Sequence, residues 1–328
     1  MKFEPYQRTL GEIHRQSSMS LACIFNIYVN FPIMTCIICG ARSNFCAIKE
    51  GYVHYKCTHC RHIQISPFPS NEDLHLYYSK DYVFTDCDEQ PKKKEKSTPI
   101  LNYIRANFQD VQATSCLDIG AGNGRFLGEL NALGFNKLYA VEPNEGLAKV
   151  LHHKGYTVET GMMNNERFGT FLFNLINAGD VIEHLVDPTA FIQSLRSKLS
   201  EDGLLIITTP NIESIWSRYT YILYKYFSIP WSSLTPIAHL NNFSYSSLRL
   251  LLLSNSFQIV DCYFSSPSLK YELGHTHLFR AFRERKNLKN LLSWAIGWTL
   301  YVVGFYPAKL LSRRVGMNFK MTLIAKAV

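Results

Sequence analysis

The chain has 328 residues, of which 47% are hydrophobic and 18% are charged, and its formal net charge is +8 at pH 7. This composition excludes a disordered protein, and the length gives room for a full core and for more than one domain. Four of the nine cysteines stand in Cys-x-x-Cys pairs, which indicates a reducing compartment and a bound metal rather than a disulfide framework.

Residues 1–33 carry none of the motifs found later, and we interpret them as an N-terminal extension. Met34 stands two residues before the first paired cysteine and is an alternative start. Residues 19–34 are apolar like a signal peptide, but charged residues precede them and a small-residue cleavage site is absent. We therefore expect a cytoplasmic protein, with membrane association left open by a later apolar segment.

Residues 34–68 are predicted to form a zinc ribbon. Two Cys-x-x-Cys pairs lie here, Cys36 with Cys39 and Cys57 with Cys60. Four thiolates around one zinc ion make a closed tetrahedral site with no position for water, so the metal would fold the ribbon rather than catalyse. Two unrelated pairs, a redox pair, or a neighbouring histidine in place of one cysteine ligand stay open as alternatives.

Residues 69–98 are interpreted as an aromatic helix followed by a linker. The span 74–84 carries three tyrosines, an aromatic stripe that is typical of a helix packed on a neighbouring domain. Residues 86–98 are polar and contain Pro91 and a run of lysines. A short basic run in this position is typical of a solvated linker, so we expect a domain boundary here.

A cofactor-binding turn is predicted within residues 115–127, where an apolar strand runs through glycines into a helix. The glycines are Gly120, Gly122 and Gly124, whereas the third glycine of a dinucleotide fingerprint would stand one position later. Glycines allow the backbone to approach a flat adenosine and a methionine-like tail closely. Asp118, at the end of the strand, is expected to orient loop amides and to attract an ammonium group.

A second strand, 137–141, ends in Glu142, which is followed by Pro143. An acid about twenty residues beyond a glycine-rich turn is placed to accept hydrogen bonds from ribose hydroxyls. Glu142 and Pro143 are therefore candidate cofactor-binding residues. Strands and helices then alternate up to residue 209, which predicts right-handed crossovers and a doubly wound parallel α/β sheet.

These motifs resemble those of the class I S-adenosylmethionine-dependent methyltransferases. "LDIGAGNG" and "AVEPN" are similar to the first two family motifs, "FNLINAGDVIEHLVDP" (173–188) to the fourth-strand segment of ubiquinone-type O-methyltransferases, and "LSEDGLLIITTPN" (199–211) to the fifth strand. The resemblance covers residues 100–266 and resumes at 317–328. It implies a domain over 99–328 with a seven-stranded sheet of order 3-2-1-4-5-7-6 and S-adenosylmethionine as cofactor.

The resemblance also implies further contacts and a subgroup. Met162 or Met163 falls where the family stacks a residue on adenine, although filling the core is an equal alternative. The tyrosines within 74–84 fall where the family closes its cofactor pocket. Methyltransferases with an N-terminal zinc ribbon form a subgroup that often acts on sugars and other small metabolites, and the chain resembles them.

Catalytic chemistry is expected at the carboxyl ends of the strands. Asp180, Glu183 and His184 follow the fourth strand, and His239 comes from a later loop; Asp180 is also a candidate contact of the cofactor. A neutral imidazole of His184 or His239 is suited to removing a proton from a substrate hydroxyl. Alternatively, the four side chains bind a divalent ion such as Mg²⁺, which the resemblance supports in part, or they only form the pocket floor.

Two insertions interrupt the domain, at 212–243 and 267–317. The first is rich in tyrosine and tryptophan and is predicted to be an aromatic lid over a ring-bearing or long apolar acceptor, or a cover of the domain. Within the second, 288–314 include an apolar run that two glycines and a proline interrupt. We expect either a hairpin that lies on a membrane surface, with basic residues facing anionic lipid, or a helix pair packed on the domain or on a second subunit.

The sequence therefore predicts methyl transfer to a hydroxyl or carbon of a small molecule, such as a sugar, a quinone or a lipid-linked precursor. An RNA methyltransferase is an alternative that the ribbon and the net charge permit, although the Asn-Pro-Pro-Tyr run of base methylation is absent and no nucleic-acid partner is expected. A non-catalytic module that keeps the cofactor-binding fold is the other alternative. The oligomeric state is left open.

Overall fold

The fold is described from a computed structural model. It describes residues 31–49, 51–70, 99–227, 229, 231–236, 238–266 and 288–328, with the side chains of the last segment described from residue 295. The predictions for residues 1–30, for the aromatic helix and for the lysine-rich linker lie outside the described residues.

The N-terminal strands form a small antiparallel sheet. They are β1 (Met34–Thr35), β2 (Arg42–Lys49), β3 (Tyr52–Cys57) and β4 (Ile63–Ile65). A later strand, β10 (Asn241–Asn242), joins the edge of this sheet by pairing antiparallel with β4. The ribbon predicted over 34–68 is thus completed by a strand from the first insertion.

A seven-stranded sheet forms the centre of the molecule. Its strands are β5 (Ser115–Ile119), β6 (Lys137–Glu142), β7 (Thr157–Thr160), β8 (Phe173–Gly179), β9 (Leu199–Pro210), β11 (Phe257–Ser265) and β12 (Lys320–Ala327). Strands β5 to β9 are parallel, and β12 lies antiparallel between β9 and β11. The spatial order β11-β12-β9-β8-β5-β6-β7 is the predicted order 3-2-1-4-5-7-6 read from the opposite edge, which confirms the fold prediction.

Helices cover both faces of the central sheet. They are α1 (Pro99–Asn107), α2 (Arg125–Ala132), α3 (Glu145–His153), α4 (Pro188–Lys198), α5 (Ile215–Phe227), α6 (Tyr245–Ser254) and α7 (Leu288–Val315). Side chains of α1, α2 and α3 pack with Cys116 of β5, and those of α4 and α6 pack with Leu117 of the same strand. All five residues of β5 are buried, and a fully buried aliphatic side chain stabilises the fold by about 1.5–3 kcal/mol. The turn after β5 is therefore anchored on a rigid strand.

The first insertion places its aromatic side chains between the ribbon and α7. Trp216 of α5 packs edge-on against Tyr301 and Phe305 of α7, with ring centroids 4.7 and 5.0 Å away. Trp231 packs instead with the ribbon residues Ala47 and Ile63. In these contacts the insertion covers other parts of the protein, which is the second of the two roles predicted for it.

Helix α7 runs without a break through the two glycines and the proline of the second insertion. A Cβ on Gly297 would lie 2.5 Å from Ile229, and a Cβ on Gly304 would lie 2.3 Å from the hydroxyl of Tyr219. The two glycines therefore allow close packing, and the residues that interrupt the apolar run do not end the helix. Within the described residues, none of the helices combines the length and the apolar character required to cross a bilayer.

Candidate active site

The glycine-rich turn lies at the carboxyl edge of the central sheet, directly after β5. Gly120, Gly122 and Gly124 have φ angles of 67°, 56° and 79°, which residues with a side chain rarely adopt. A Cβ on Gly120 would lie 2.7 Å from Val181, and a Cβ on Gly124 would lie 2.5 Å from Leu151. The turn requires glycine for its conformation at all three positions and for space at two of them.

Glu142 is held against this turn by two backbone amides. Its Oε2 accepts a hydrogen bond from the amide of Gly122 at 2.8 Å, and its Oε1 accepts one from the amide of Asn144 at 2.9 Å. Burial raises the pKa of the carboxyl, and the two amide hydrogen bonds act in the opposite direction. Each carboxylate oxygen can accept more than one hydrogen bond, so the side chain retains acceptor sites for a ribose diol.

Asp118 is buried behind the turn, where Asn177 of the adjacent strand β8 donates a hydrogen bond to its Oδ1 at 2.7 Å. The pKa of Asp118 is raised to about 7, mainly by burial and also by the negative charges of Glu142 and Glu129, whereas the hydrogen bond from Asn177 acts in the opposite direction. The sequence analysis did not identify Asn177. The strand order could have indicated it, because β5 and β8 are neighbours and the two residues are paired in register.

The remaining predicted cofactor contacts differ in their surroundings. Pro143 is exposed at the end of β6. Met162 is 59% exposed and accessible to a ligand, whereas Met163 packs against the core of the central sheet. Of the two methionines, Met163 takes the core-filling role that the sequence left open.

Asp180, directly after β8, has a left-handed backbone with φ 55°, and its amide donates to the carbonyl of Thr208 at 2.8 Å. Its carboxylate pairs with Lys320 Nζ at 2.5 Å. Lys320 is a functional candidate that the sequence analysis missed. The predicted strand order 5-7-6 could have indicated Lys320, because an antiparallel seventh strand begins at the edge of the sheet where the parallel strands end.

Glu183, His184 and His239 come together next to this edge. One carboxylate oxygen of Glu183 and one ring nitrogen of each histidine lie within 4.8 Å of one another, and the two imidazole centroids are 5.0 Å apart. Thr209 donates to Oε2 of Glu183 at 2.9 Å, whereas the buried Oε1 has no hydrogen-bond partner within the part of the chain that the structure describes. Asp180, the fourth predicted member, is not part of this group.

The protonation states of Glu183 and His184 follow from their burial. The pKa of Glu183 is raised to about 8, mainly by burial and also by the charge of Asp180. Burial also lowers the pKa of His184, so its imidazole is neutral at pH 7. Nδ1 of His184 lies 2.5 Å from the carbonyl oxygen of Ala238, so Nδ1 carries a proton that it donates to this carbonyl. The hydrogen bonds of His184 to the backbone of Ala238 and of Asp180 act against the effect of burial on its pKa.

The four paired cysteines of the ribbon also come together. The Sγ atoms of Cys36 and Cys60 are 3.6 Å apart, and Sγ of Cys39 lies 3.5 Å from those of Cys57 and Cys60. Tetrahedral zinc with Zn–S bonds of about 2.3 Å separates its sulfurs by roughly 3.8 Å. The amides of His59 and Cys60 point at Cys57 Sγ, each at 3.4 Å. The donor set and its spacing fit a tetrahedral metal ion.

Comparison with known proteins finds similarity in the central domain. Residues 88–261 match the family model described as a methyltransferase domain. The ubiquinone biosynthesis O-methyltransferase of Haemophilus ducreyi is 27% identical over 137 residues, which cover 37% of this chain and 58% of that protein. The protein of the same name from Rickettsia prowazekii is 27% identical over 121 residues, 34% of this chain and 46% of that protein.

The chain spans about half the length of the curated relatives that it matches, from 46% to 58% in these two cases. Among solved structures, a SAM dependent methyltransferase from Archaeoglobus fulgidus is similar with a TM-score of 0.42 and 19% identity, over 69% of this chain and 91% of that one.

Proposed function

The chain belongs to the methyltransferase-domain family of class I S-adenosylmethionine-dependent proteins, and from this premise we propose that it transfers the methyl group of S-adenosylmethionine to a hydroxyl group of a small molecule. One observation carries the proposal. The carboxylate of Glu142, bonded to the Gly122 amide, and the group of Glu183, His184 and His239 are held at the same carboxyl edge of one sheet.

The cofactor would be held by the turn 120–124 and by Glu142. The turn presents backbone without side chains, and Glu142 accepts hydrogen bonds from the ribose. Asp118 attracts the ammonium group of the methionine moiety, and the exposed Met162 contacts the adenine. When bound, the cofactor supplies an electrophilic methyl carbon on a sulfonium centre.

His184 would remove the proton of the acceptor hydroxyl. In a neutral imidazole whose Nδ1 donates to the Ala238 carbonyl, Nε2 would hold the lone pair, and the lowered pKa of His184 keeps the ring neutral at pH 7. General-base catalysis of this kind contributes typically about 10²–10⁴-fold in rate. His239, in ring contact with His184, would orient the acceptor from the other side.

The same group also fits a divalent cation. The buried, unpartnered Oε1 of Glu183 and the nearby imidazoles of His184 and His239 are donors that such an ion accepts. A cation such as Mg²⁺ would lower the pKa of the acceptor hydroxyl and would require Glu183 to be deprotonated. His184 would then be a ligand rather than a base.

The acceptor class is proposed from the relatives that act, by name, in ubiquinone biosynthesis. A catechol or another ring hydroxyl is the first acceptor to test, and sugars and lipid-linked precursors follow. In the ribbon, we propose that Cys36, Cys39, Cys57 and Cys60 hold one structural zinc ion, since the spacing of the four sulfurs supports it.

The test separates cofactor binding from transfer. Calorimetry with S-adenosylhomocysteine measures the first, and transfer of labelled methyl from S-adenosylmethionine to catechol and dihydroxybenzoate measures the second. His184→Asn keeps a donor near the Ala238 carbonyl but removes Nε2, so we expect unchanged cofactor affinity and a fall in kcat of about 10² or more. His152→Asn, an exposed histidine of α3, is the matched control.

The outcomes distinguish the alternatives. Activity that depends on added Mg²⁺ or Mn²⁺ favours the cation over the direct base. Cofactor binding without transfer to any hydroxyl acceptor would leave a binding module, and absence of cofactor binding would overturn the proposed function as a whole.

A further inference from the structure

Helix α7 is apolar on the face that it turns to solvent as well as on the face that it packs. Its packed face includes Tyr301, Phe305 and Ala308, which are at most 7% exposed. On the opposite side, Val303 is 64% exposed and Leu310 is 56% exposed. Other exposed apolar side chains of this helix are Ile296, Leu300, Val302, Tyr306 and Leu311.

A helix at a protein surface ordinarily turns polar side chains to water. Between residues 295 and 311, Thr299 is the exposed polar exception among the described side chains of α7. Ile222 and Tyr226 of the neighbouring helix α5 are 50% and 61% exposed and add to the apolar surface. A contiguous exposed apolar surface of this kind marks an interaction site rather than an ordinary solvated face.

The charges of α7 decide which partner fits this surface. The helix contains Lys289, Lys309, Arg313 and Arg314 and no aspartate or glutamate. Arg313 and Arg314, at its C-terminal end, are exposed. A partner surface must therefore be apolar where it meets residues 296–311 and negatively charged where it meets Arg313 and Arg314.

A second copy of α7 does not meet this requirement. A two-fold interface brings the same surface of both copies together, so α7 would face α7. In either orientation, the basic side chains of one helix would find no carboxylate on the other. An anionic lipid surface provides both parts, acyl chains for the apolar side chains and headgroups for the arginines.

We propose that the outer face of α7, formed by Ile296, Leu300, Val303, Leu310 and Leu311 with Arg313 and Arg314 at its end, binds the surface of an anionic membrane. The helix would lie in the plane of the interface, with Tyr301 and Phe305 still packed against Trp216 of α5. This proposal is independent of the reaction that the chain catalyses, because it rests on α7 and α5 alone.

The experiment is sedimentation of the full chain with vesicles of phosphatidylcholine alone or with about 30% phosphatidylglycerol. We expect binding to the anionic vesicles and weaker binding as salt is added, since exposed charges are screened. Val303→Glu should lower partitioning by at least about tenfold, because a charge enters the apolar contact. Val150→Glu is the matched control, as Val150 is 42% exposed on α3, and it should bind like the wild type.

The double variant Arg313→Gln with Arg314→Gln tests the charged part. It should lower binding to anionic vesicles by about fivefold or more and leave binding to phosphatidylcholine unchanged. Equal sedimentation of Val303→Glu and wild type would overturn the proposal. A dimer that light scattering detects and that Val303→Glu dissociates would also overturn it, since the face would then be a protein interface. A fall in Tm in Val303→Glu that Val150→Glu lacks would overturn it as well, since the face would then be part of the fold.

Discussion

His62 of the ribbon and Asn241 of the first insertion share a buried hydrogen bond, with His62 Nε2 at 3.1 Å from Asn241 Oδ1. Burial lowers the pKa of His62 to about 4, so a neutral imidazole donates this bond. The amide nitrogen of Asn241 donates in turn to the carbonyl of Leu185 at 2.6 Å. Leu185 directly follows His184, so one asparagine connects the ribbon with the candidate active site.

Asn241→Ala should destabilise the protein by about 1–3 kcal/mol, because it leaves the His62 nitrogen and the Leu185 carbonyl without their partner. Thermal unfolding measures this change. Asn242→Ala is the matched control in the same strand, since the amide nitrogen of Asn242 has no hydrogen-bond partner in the described part of the chain. Equal losses of stability in the two variants would contradict the connecting role of Asn241.

Removal of the ribbon metal should destabilise more than the ribbon. Cys57→Ser is expected to lose one equivalent of zinc, measured by native mass spectrometry, and to lower Tm, because the metal supplies folding energy. Cys60 accepts a hydrogen bond from Ser244, the N-cap of α6, so the effect should reach the central domain. Cys262→Ser, on β11, should retain the zinc; loss of metal there, or zinc retained in Cys57→Ser, would oppose the proposed site.

The central sheet and its glycine-rich turn could be predicted because each is encoded locally. Apolar strands, the spacing of Gly120, Gly122 and Gly124, and an acid at the end of the second strand are short-range signals. The structure places Glu142 beside the turn, hydrogen-bonded to the amide of Gly122. Lys320 and Asn177 were missed because their roles depend on which strands are neighbours, which the residues around them do not reveal.

The connection between ribbon and domain could not be predicted for a similar reason. Strand β10 has two residues, too few for an alternating pattern, and it pairs with a strand about 180 positions earlier. Gly297 and Gly304 were interpreted only as interruptions of an apolar run, because the residues around them do not show what packs against them. Their role depends on Ile229 and Tyr219, which approach α7 from another element.

Glu142→Gln should weaken the binding of S-adenosylhomocysteine by about 1–3 kcal/mol, as a charged acceptor of hydrogen bonds is lost. Isothermal calorimetry measures the affinity, and circular dichroism checks the fold. Glu145→Gln, at an exposed position in the first turn of α3, is the control and should bind like the wild type. Unchanged affinity in Glu142→Gln would remove this residue from the cofactor site.

Cofactor binding should release a proton from Asp118 near neutral pH. The pKa of Asp118 in the folded protein is about 7, against an ordinary value of 3.8. The native protein therefore binds more protons than the unfolded chain between these values, and its stability falls as the pH rises through this range. The ammonium of the cofactor would favour the ionised form. We expect the enthalpy of cofactor binding at pH 6.5 to differ between phosphate and Tris buffers, because the buffer takes up the released proton. Asp118→Asn should abolish this difference. Identical enthalpies in the two buffers for the wild type would refute the proton release.

Gly304→Ala should destabilise the packing of α7 on α5, although alanine is the better helix former. The gain in helix propensity is about 1 kcal/mol, but the new Cβ would lie 2.3 Å from the hydroxyl of Tyr219, which donates to the carbonyl of Leu300 at 2.7 Å. Displacing this ring in a packed interface costs typically about 1–3 kcal/mol. We therefore expect a net loss of stability in denaturant unfolding.

Gly128→Ala provides the opposite case within α2, since its Cβ would meet its nearest atom at 3.8 Å, an ordinary contact, and the substitution should stabilise. If both variants gained stability alike, helix propensity alone would govern α7, and the close approach of the two helices would have to be abandoned.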